Sequence, residues 1–122
     1  MKYTKAQLQK MLDSVTDSLW LEYSIVFPKL VRFDPPKIVL NGRFTRCAGC
    51  NHSADNRIDL GYKFFEKYHS NMMDVILPHE LAHQIDYNLN GWYNRKPHHG
   101  KAWIEIMQKI GQAPNPYHSM EL

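Results

Sequence analysis

The sequence is poor in the features that mark secreted, membrane-spanning and disordered proteins. Only two of its 122 residues are cysteine, which is too few for the disulfide framework of a small secreted domain. No stretch approaches the roughly 18 consecutive apolar residues that a membrane-spanning helix needs. The first residues carry charges and glutamines and lack the apolar core and cleavage site of a secretory signal. These absences predict a protein of the reducing cytoplasm that does not enter a membrane.

Charge of one sign is also scarce. Fifteen Lys and Arg residues against twelve Asp and Glu residues give a formal net charge of +3, and the cations are scattered along the chain. Because nucleic-acid binding usually shows a concentrated basic patch, this balance permits contact with DNA without indicating it. Hydrophobic residues make up 43% of the chain and charged residues 22%, which excludes a disordered chain. The length favours one domain over residues 1–122.

Hydrophobic periodicity and turn residues predict an α+β fold. Thr4 and Gln7 suit a capping box at the start of an amphipathic N-terminal helix. We expect the short strands to form a small antiparallel sheet. We expect Asn71 to cap the helix at 72–88. The predicted elements are a helix at 5–26, strands at 37–40, 43–48 and 57–61, and helices at 62–69, 72–88 and 100–110.

The most informative segment is 79–83, which reads H-E-L-A-H and matches the H-E-x-x-H pattern. On a helix, at about 100° per residue, His79 and His83 lie one turn apart on one side, so both imidazoles can bind a single metal ion. Glu80 lies on the same side, where it can reach a water on the metal without being a ligand. Apolar residues on the opposite side anchor the helix to a core. The spacing favours a metal site with Glu80 beside it, and the alternative is an exposed helix whose histidines have other partners.

The predicted site needs a third protein ligand, because catalytic zinc usually takes three and leaves the fourth position to water. A helix stop at Asn90-Gly91 is followed by a polar loop that lets the chain double back. His99, or its neighbour His98, can then present an imidazole at the start of the last helix. Glu105 of that helix is a competitor, since zinc also accepts a carboxylate oxygen. Spacing alone does not separate the three.

Two segments together resemble a known family. Residues 78–83 read P-H-E-L-A-H and residues 99–103 read H-G-K-A-W. They are similar to the H-E-L-x-H and H-G-x-x-W or H-G-x-x-F motifs of the SprT-like metallopeptidases, the family that includes the Spartan proteases. The resemblance extends over residues 5 to about 120, nearly the whole chain.

The resemblance implies both a site and an activity. It implies that His79, His83 and His99 hold one zinc ion and that Glu80 is the catalytic acid and base. The implied fold is a small zincin-like domain, with an N-terminal helix and a short sheet before the metal-binding helix pair. The implied substrate is a protein or peptide. DNA-associated proteins are candidates, because Spartan-type relatives work on proteins crosslinked to DNA.

Further polar residues are candidates for supporting roles. Asp86 lies near the metal face of its helix, where it either accepts a ring N–H of a ligating histidine or is simply solvated. His118 and Tyr117 near the C-terminus, or Tyr93 and Arg95 in the loop, are candidate donors to the oxyanion of a tetrahedral intermediate. Nothing in the spacing brings these four residues to the metal, and a surface position is the simpler interpretation.

Cys47 and Cys50, with His52 nearby, form half of a zinc ribbon, but a closed structural site needs four ligands. Small residues in or beside a strand are therefore the simpler interpretation. For the main site, one rival function is a DNA-associated binding module whose zinc only holds the fold. A second rival is a closed structural zinc site with His98 or Asp86 as its fourth ligand. A third is a protein that binds no metal. The sequence does not indicate an oligomeric state.

Overall fold

A computed structural model of the protein describes residues 2–92 and 96–122. The fold is mixed α and β, as predicted. Its main elements are α1 (Lys5–Val26), β1 (Lys37–Asn41), β2 (Gly49–His52), β3 (Arg57–Gly61), α2 (Tyr62–Asn71), α3 (Leu77–Asn90) and α4 (Lys101–Lys109). Short 3-10 turns follow α1 and β2, and a π-helical segment, Met72–Ile76, joins α2 to α3. In the part of the chain that the structure describes, no helix is long and apolar enough to span a membrane.

The start of α1 confirms the predicted capping box. The Thr4 hydroxyl accepts the Gln7 backbone N–H at 3.1 Å, and the Gln7 side chain accepts the Thr4 backbone N–H at 2.8 Å. These two bonds satisfy amide groups that the first helical turn leaves free. Further along α1, the Gln9 amide donates to the Ile38 carbonyl at 2.8 Å. This bond ties the helix to the outer edge of β1.

The sheet corrects two sequence predictions. Its strand order is β1-β3-β2, with β1 and β3 parallel and β2 and β3 antiparallel. The expected antiparallel sheet is therefore wrong for the pair β1 and β3, because the chain crosses over from β1 to the far edge before β3 enters between them. The second strand begins at Gly49, after the predicted span 43–48. It reads G-C-N-H, and this sequence has no apolar alternation to mark it as a strand.

The helical half of the chain is continuous from α2 into α3. Asn71 has helical dihedral angles and no side-chain capping bond, so the prediction that it caps a new helix is wrong. The Leu77 N–H bonds to the Met72 carbonyl, five residues back, and Pro78 follows in the first turn of α3, where a missing N–H is tolerated. Gly91, with φ of 73°, ends α3 as predicted.

Helix α3 is held by the core on the side that the sequence predicts. Leu77, Leu81 and Ile85 are fully buried, and they pack in the cluster that includes the strand residues Ile58 and Leu60. Burying one such side chain contributes roughly 1.5–3 kcal/mol. The opposite side of α3 therefore faces a cleft. There its polar residues lie close to β2 and to the start of α4.

Candidate metal centre

Three imidazoles converge at the start of α4. His79 and His83 lie one turn apart on α3, and His99 is presented by the turn that precedes α4. The Nε2 atoms of His79 and His83 are 3.2 Å apart, those of His83 and His99 are 3.2 Å apart, and those of His99 and His79 are 3.3 Å apart. Three ring nitrogens in a nearly equilateral triangle can hold one metal ion.

Burial keeps these rings neutral. Loss of solvation lowers the pKa of His79 to about 4 and that of His83 to about 3. The neighbouring imidazoles lower both values further, because a second positive charge beside the first is repelled. Burial also lowers the pKa of His99. A neutral imidazole keeps the lone pair that a metal ion needs, so the site is prepared for coordination without losing protons.

The indole of Trp103 forms a wall behind the three rings. Its ring centroid lies 4.9 Å from that of His79, 5.4 Å from that of His83 and 4.7 Å from that of His99. Trp103 is also buried in the core, as its helical spacing predicts. One residue of α4 therefore packs against all three imidazoles.

Glu80 stands beside the triangle and is not part of it. Its Oε1 lies 3.8 Å from Nε2 of His79, and the side chain is buried. Burial raises the pKa of its carboxyl to about 7, and a hydrogen bond to the backbone of Asn51 acts in the opposite direction. This is the arrangement that the H-E-x-x-H spacing predicts, with a carboxylate next to the imidazole triangle but outside it.

A network missed by the sequence analysis joins α3 to β2. Gln84 is only 1% exposed. Its Oε1 accepts the side-chain amide of Asn51 at 2.8 Å, and its Nε2 donates to the Ser53 carbonyl at 3.1 Å. Glu80 and Gln84, one turn apart, therefore both bond to Asn51, which holds the carboxylate against the strand. A glutamine on a helix is usually solvated, so the sequence carries no signal for this contact.

Gly49 allows α3 to approach β2 this closely. A Cβ atom at Gly49 would lie 3.0 Å from Cγ of Glu80, 3.1 Å from Ile76 and 3.2 Å from Leu60. These separations are shorter than ordinary carbon contacts. The glycine thus leaves room for the Glu80 side chain between the helix and the strand.

Gly49→Ala is therefore expected to lower the stability of the protein and to displace the Glu80 side chain. The added methyl group overpacks the contact between α3 and β2, which should reduce the free energy of unfolding by about 1–3 kcal/mol. Urea unfolding measures this change. Gly42→Ala is the matched control, because no described atom comes within 4 Å of a Cβ there. Equal stability of the Gly49→Ala and Gly42→Ala variants would contradict the assigned close packing.

The other two candidates for a third imidazole or carboxylate lie apart from the triangle. His98 is exposed, with its ring centroid 6.4 Å from that of His83. Glu105 is exposed and lies 3.9 Å from Lys101. Within residues 2–92 and 96–122, the group that could hold a metal consists of His79, His83 and His99. The structure therefore brings His99, and not its competitors, to the two histidines of α3.

Asp86 has a different partner from the one expected. Its Oδ1 accepts hydrogen bonds from Lys96 Nζ at 2.7 Å and from Asn90 Nδ2 at 2.8 Å. The structure shows no bond from it to a described histidine, and the carboxylate is buried, not solvated. The expectations that Asp86 accepts a histidine N–H or is solvated are therefore wrong, because its buried carboxylate forms an ion pair with Lys96.

The C-terminal segment forms another wall of the cleft. The ring of His79 is hydrogen-bonded to the backbone of Asn115, a contact that no side-chain pattern could have predicted. Tyr117 is 84% exposed, with its ring 5.8 Å from that of His99. His118 is engaged elsewhere, since its Nε2 lies 2.9 Å from the Arg46 carbonyl and its Nδ1 accepts a backbone N–H at 3.1 Å. Tyr117 and His118 thus lie near the triangle, but only Tyr117 presents an exposed donor.

The remaining candidates are two cysteines and two loop residues. Cys47 and Cys50 form no disulfide, and the Cys47 thiol donates to the Gly49 carbonyl at 2.9 Å. No group of metal-binding type in the described ranges includes either of them. Tyr93 and Arg95 lie outside the described residues.

The cavity over the triangle has a volume of about 910 Å³. Its walls include β2 with the residues around it, the cleft side of α3 and the C-terminal segment 115–119. The end of α2 with the π-helical segment, residues 91–92 and residues 96–99 complete the lining. A cavity of this size can take several residues of an extended peptide.

A comparison with models of protein families shows the family of this chain. The model of the SprT-like family matches residues 24–121, which include the whole sheet, the imidazole triangle and Glu80. The chain belongs to the SprT-like family. No solved structure matches.

Among curated proteins, this SprT-like chain is similar to bacterial proteins named Protein SprT. It is 32% identical to that of Vibrio parahaemolyticus over 91 residues, which cover 74% of this chain and 53% of the relative. It is 31% identical to that of Glaesserella parasuis over 91 residues, or 74% of this chain and 56% of the relative. The chain therefore spans about half the length of the curated relatives that it matches.

Proposed function

We propose that this SprT-like protein is a zinc-dependent metallopeptidase that hydrolyses peptide bonds in protein substrates. The observation that supports the proposal is the triangle of imidazoles with the buried carboxyl group of Glu80 at its side. Zinc–nitrogen bonds of about 2.0–2.1 Å at tetrahedral angles separate two ligand nitrogens by about 3.3 Å. The Nε2 separations of 3.2–3.3 Å among His79, His83 and His99 match that value, so the donor set fits one zinc ion.

The proposed mechanism gives Glu80 the proton transfers. His79, His83 and His99 would hold the zinc ion, whose Lewis acidity would polarise the scissile carbonyl and make a water easier to deprotonate. Glu80 takes a proton from the attacking water as the new C–O bond forms. It then returns this proton to the amide nitrogen as the C–N bond breaks. The Asn51 backbone bonds to the Glu80 carboxyl group, and the Gln84 network holds Asn51 in place, so the carboxyl group is fixed beside the triangle.

Tyr117 is the residue that we propose as a donor to the oxyanion. Its hydroxyl is exposed on the wall of the cleft beside His99. His118 lies on the same wall, but the Arg46 carbonyl and the Met120 backbone occupy its two ring nitrogens. A donor to the oxyanion has to be free to turn toward the substrate, and Tyr117 meets that condition.

DNA-associated proteins are the substrate class that we propose, in a cytoplasmic setting. The family resemblance supports the substrates, and the net charge of +3 is compatible with work beside DNA. The two thiols outside any disulfide are compatible with a reducing compartment.

A chelation experiment tests the peptidase proposal. Protein loaded with one equivalent of zinc is expected to cleave casein, and 1,10-phenanthroline is expected to abolish cleavage until zinc is restored. The isomer 1,7-phenanthroline, which does not chelate, is the control. Cleavage that persists without the metal would contradict the proposal. Zinc binding and a salt-dependent DNA shift without any cleavage would favour a DNA-associated binding module.

A further inference from the structure

The third imidazole comes from a different part of the chain than the first two. His99 follows His83 by 16 residues, and the intervening chain leaves α3 at Gly91 and returns to the cleft. Nothing in the α3 helix itself fixes where that returning chain lies. Trp103 of α4 packs against His99 on the side that follows it in the chain, so the attachment on the other side is that of the segment before His99.

A nearly buried ion pair makes that attachment. Lys96 Nζ lies 2.7 Å from Asp86 Oδ1, with the two side chains 8% and 7% exposed, and it also donates to the Gly91 carbonyl at 2.9 Å. Asp86 lies three residues after His83, and Lys96 lies three residues before His99. The pair thus joins the helix that carries two imidazoles to the segment that carries the third.

The turn between Lys96 and His99 is compact, so this attachment has little slack. A Cβ atom at Gly100 would lie 2.6 Å from Cγ of Pro97, which shows that the chain folds tightly on itself around His99. Since both side chains of the pair are removed from water, neither can leave its partner without leaving a buried charge uncompensated. A displacement at Lys96 is consequently passed on to His99.

We propose that the Lys96–Asp86 ion pair positions His99 and so sets the affinity of the site for zinc. This inference rests on the proposed function, because it takes the imidazole triangle as the zinc site. Lys96 and Asp86 are positioning residues in this role. They act through His99.

A double-mutant cycle tests whether Lys96 acts through His99. Lys96→Met, His99→Ala and the double variant are titrated with zinc up to millimolar concentration by calorimetry, so that the weaker two-imidazole site is also measured. Lys96→Met is expected to lower zinc affinity about 10–100-fold when His99 is present. In the His99→Ala background it should change affinity less than about threefold, because the residue that it positions is already gone.

Controls separate positioning from a general loss of structure. Lys101→Met is the matched control, since its side chain is 90% exposed and lies just beyond His99; it should leave zinc affinity unchanged. Thermal unfolding of each metal-free variant reports whether the fold is intact, and Asp86→Asn enters the same cycle if Lys96→Met does not fold. The inference would be overturned if Lys96→Met lowered zinc affinity equally in both backgrounds, or if it caused no loss of affinity when His99 is present. A wild-type protein that binds no zinc would instead overturn the proposed function.

Discussion

Glu80→Gln is expected to leave zinc bound and to lower peptide hydrolysis about 10²–10⁴-fold, the usual contribution of a positioned acid and base. Glutamine has nearly the same shape as glutamate, and its amide oxygen can still accept the Asn51 backbone N–H. It cannot take a proton from the attacking water, so the loss should appear in kcat. Zinc content and casein cleavage, measured on the same preparation, test both parts of this expectation.

Glu105→Gln is the matched control for this substitution. Glu105 is an exposed carboxylate of α4 that lies away from the imidazole triangle, so its variant should cleave casein at the wild-type rate. A Glu80→Gln variant with near wild-type cleavage would show that the carboxylate does not carry the proton. The mechanism would then have to be abandoned, while the metal site itself would stand.

His83→Ala is expected to lose zinc, and with it all cleavage. Nε2 of His83 lies 3.2 Å from both other ring nitrogens, so its removal opens the triangle. If a binding free energy of about 10 kcal/mol is shared by three ligands, one imidazole is worth about 3 kcal/mol, or a factor of about 10² to 10³ in affinity. Zinc retained after dialysis and the affinity from chelator competition measure the loss.

His98→Ala provides the contrast for His83→Ala. Its exposed imidazole adjoins His99 in the chain but lies outside the triangle, so the variant should retain zinc. A His98→Ala variant that loses as much zinc as His83→Ala would show that the wrong histidine has been assigned as the third ligand. Full zinc retention by His83→Ala would contradict the site as a whole.

Local signals account for the parts of the fold that could be predicted. The capping residues Thr4 and Gln7, the spacing of apolar residues in α1 and the helix stop at Gly91 act within a few residues, and a single sequence contains them. The parallel pairing of β1 with β3 is a choice among partners distant in sequence, which local patterns do not encode. The strand at Gly49 was missed because it is polar and short.

The same division holds at the candidate metal centre. The spacing of His79, Glu80 and His83 is fixed by one helical turn, so their convergence could be predicted, and the family resemblance pointed to His99. The supporting contacts could not be predicted, because they run between distant segments. Gln84 binds a strand residue more than thirty positions earlier, and the ring of His79 binds a backbone group whose side chain carries no signal.

One wall of the cleft is the C-terminal segment, whose residues belong to no helix or strand. The Asn115 backbone is hydrogen-bonded to the ring of His79. Further along, the Glu121 carbonyl accepts hydrogen bonds from Tyr68 and Lys67 of α2, at 2.7 and 2.9 Å. The segment 115–121 is consequently held at both ends, at the ring of His79 and at α2. A chain shortened just after α4 would keep His79, His83 and His99 and yet lose the hydrogen bond that holds the ring of His79.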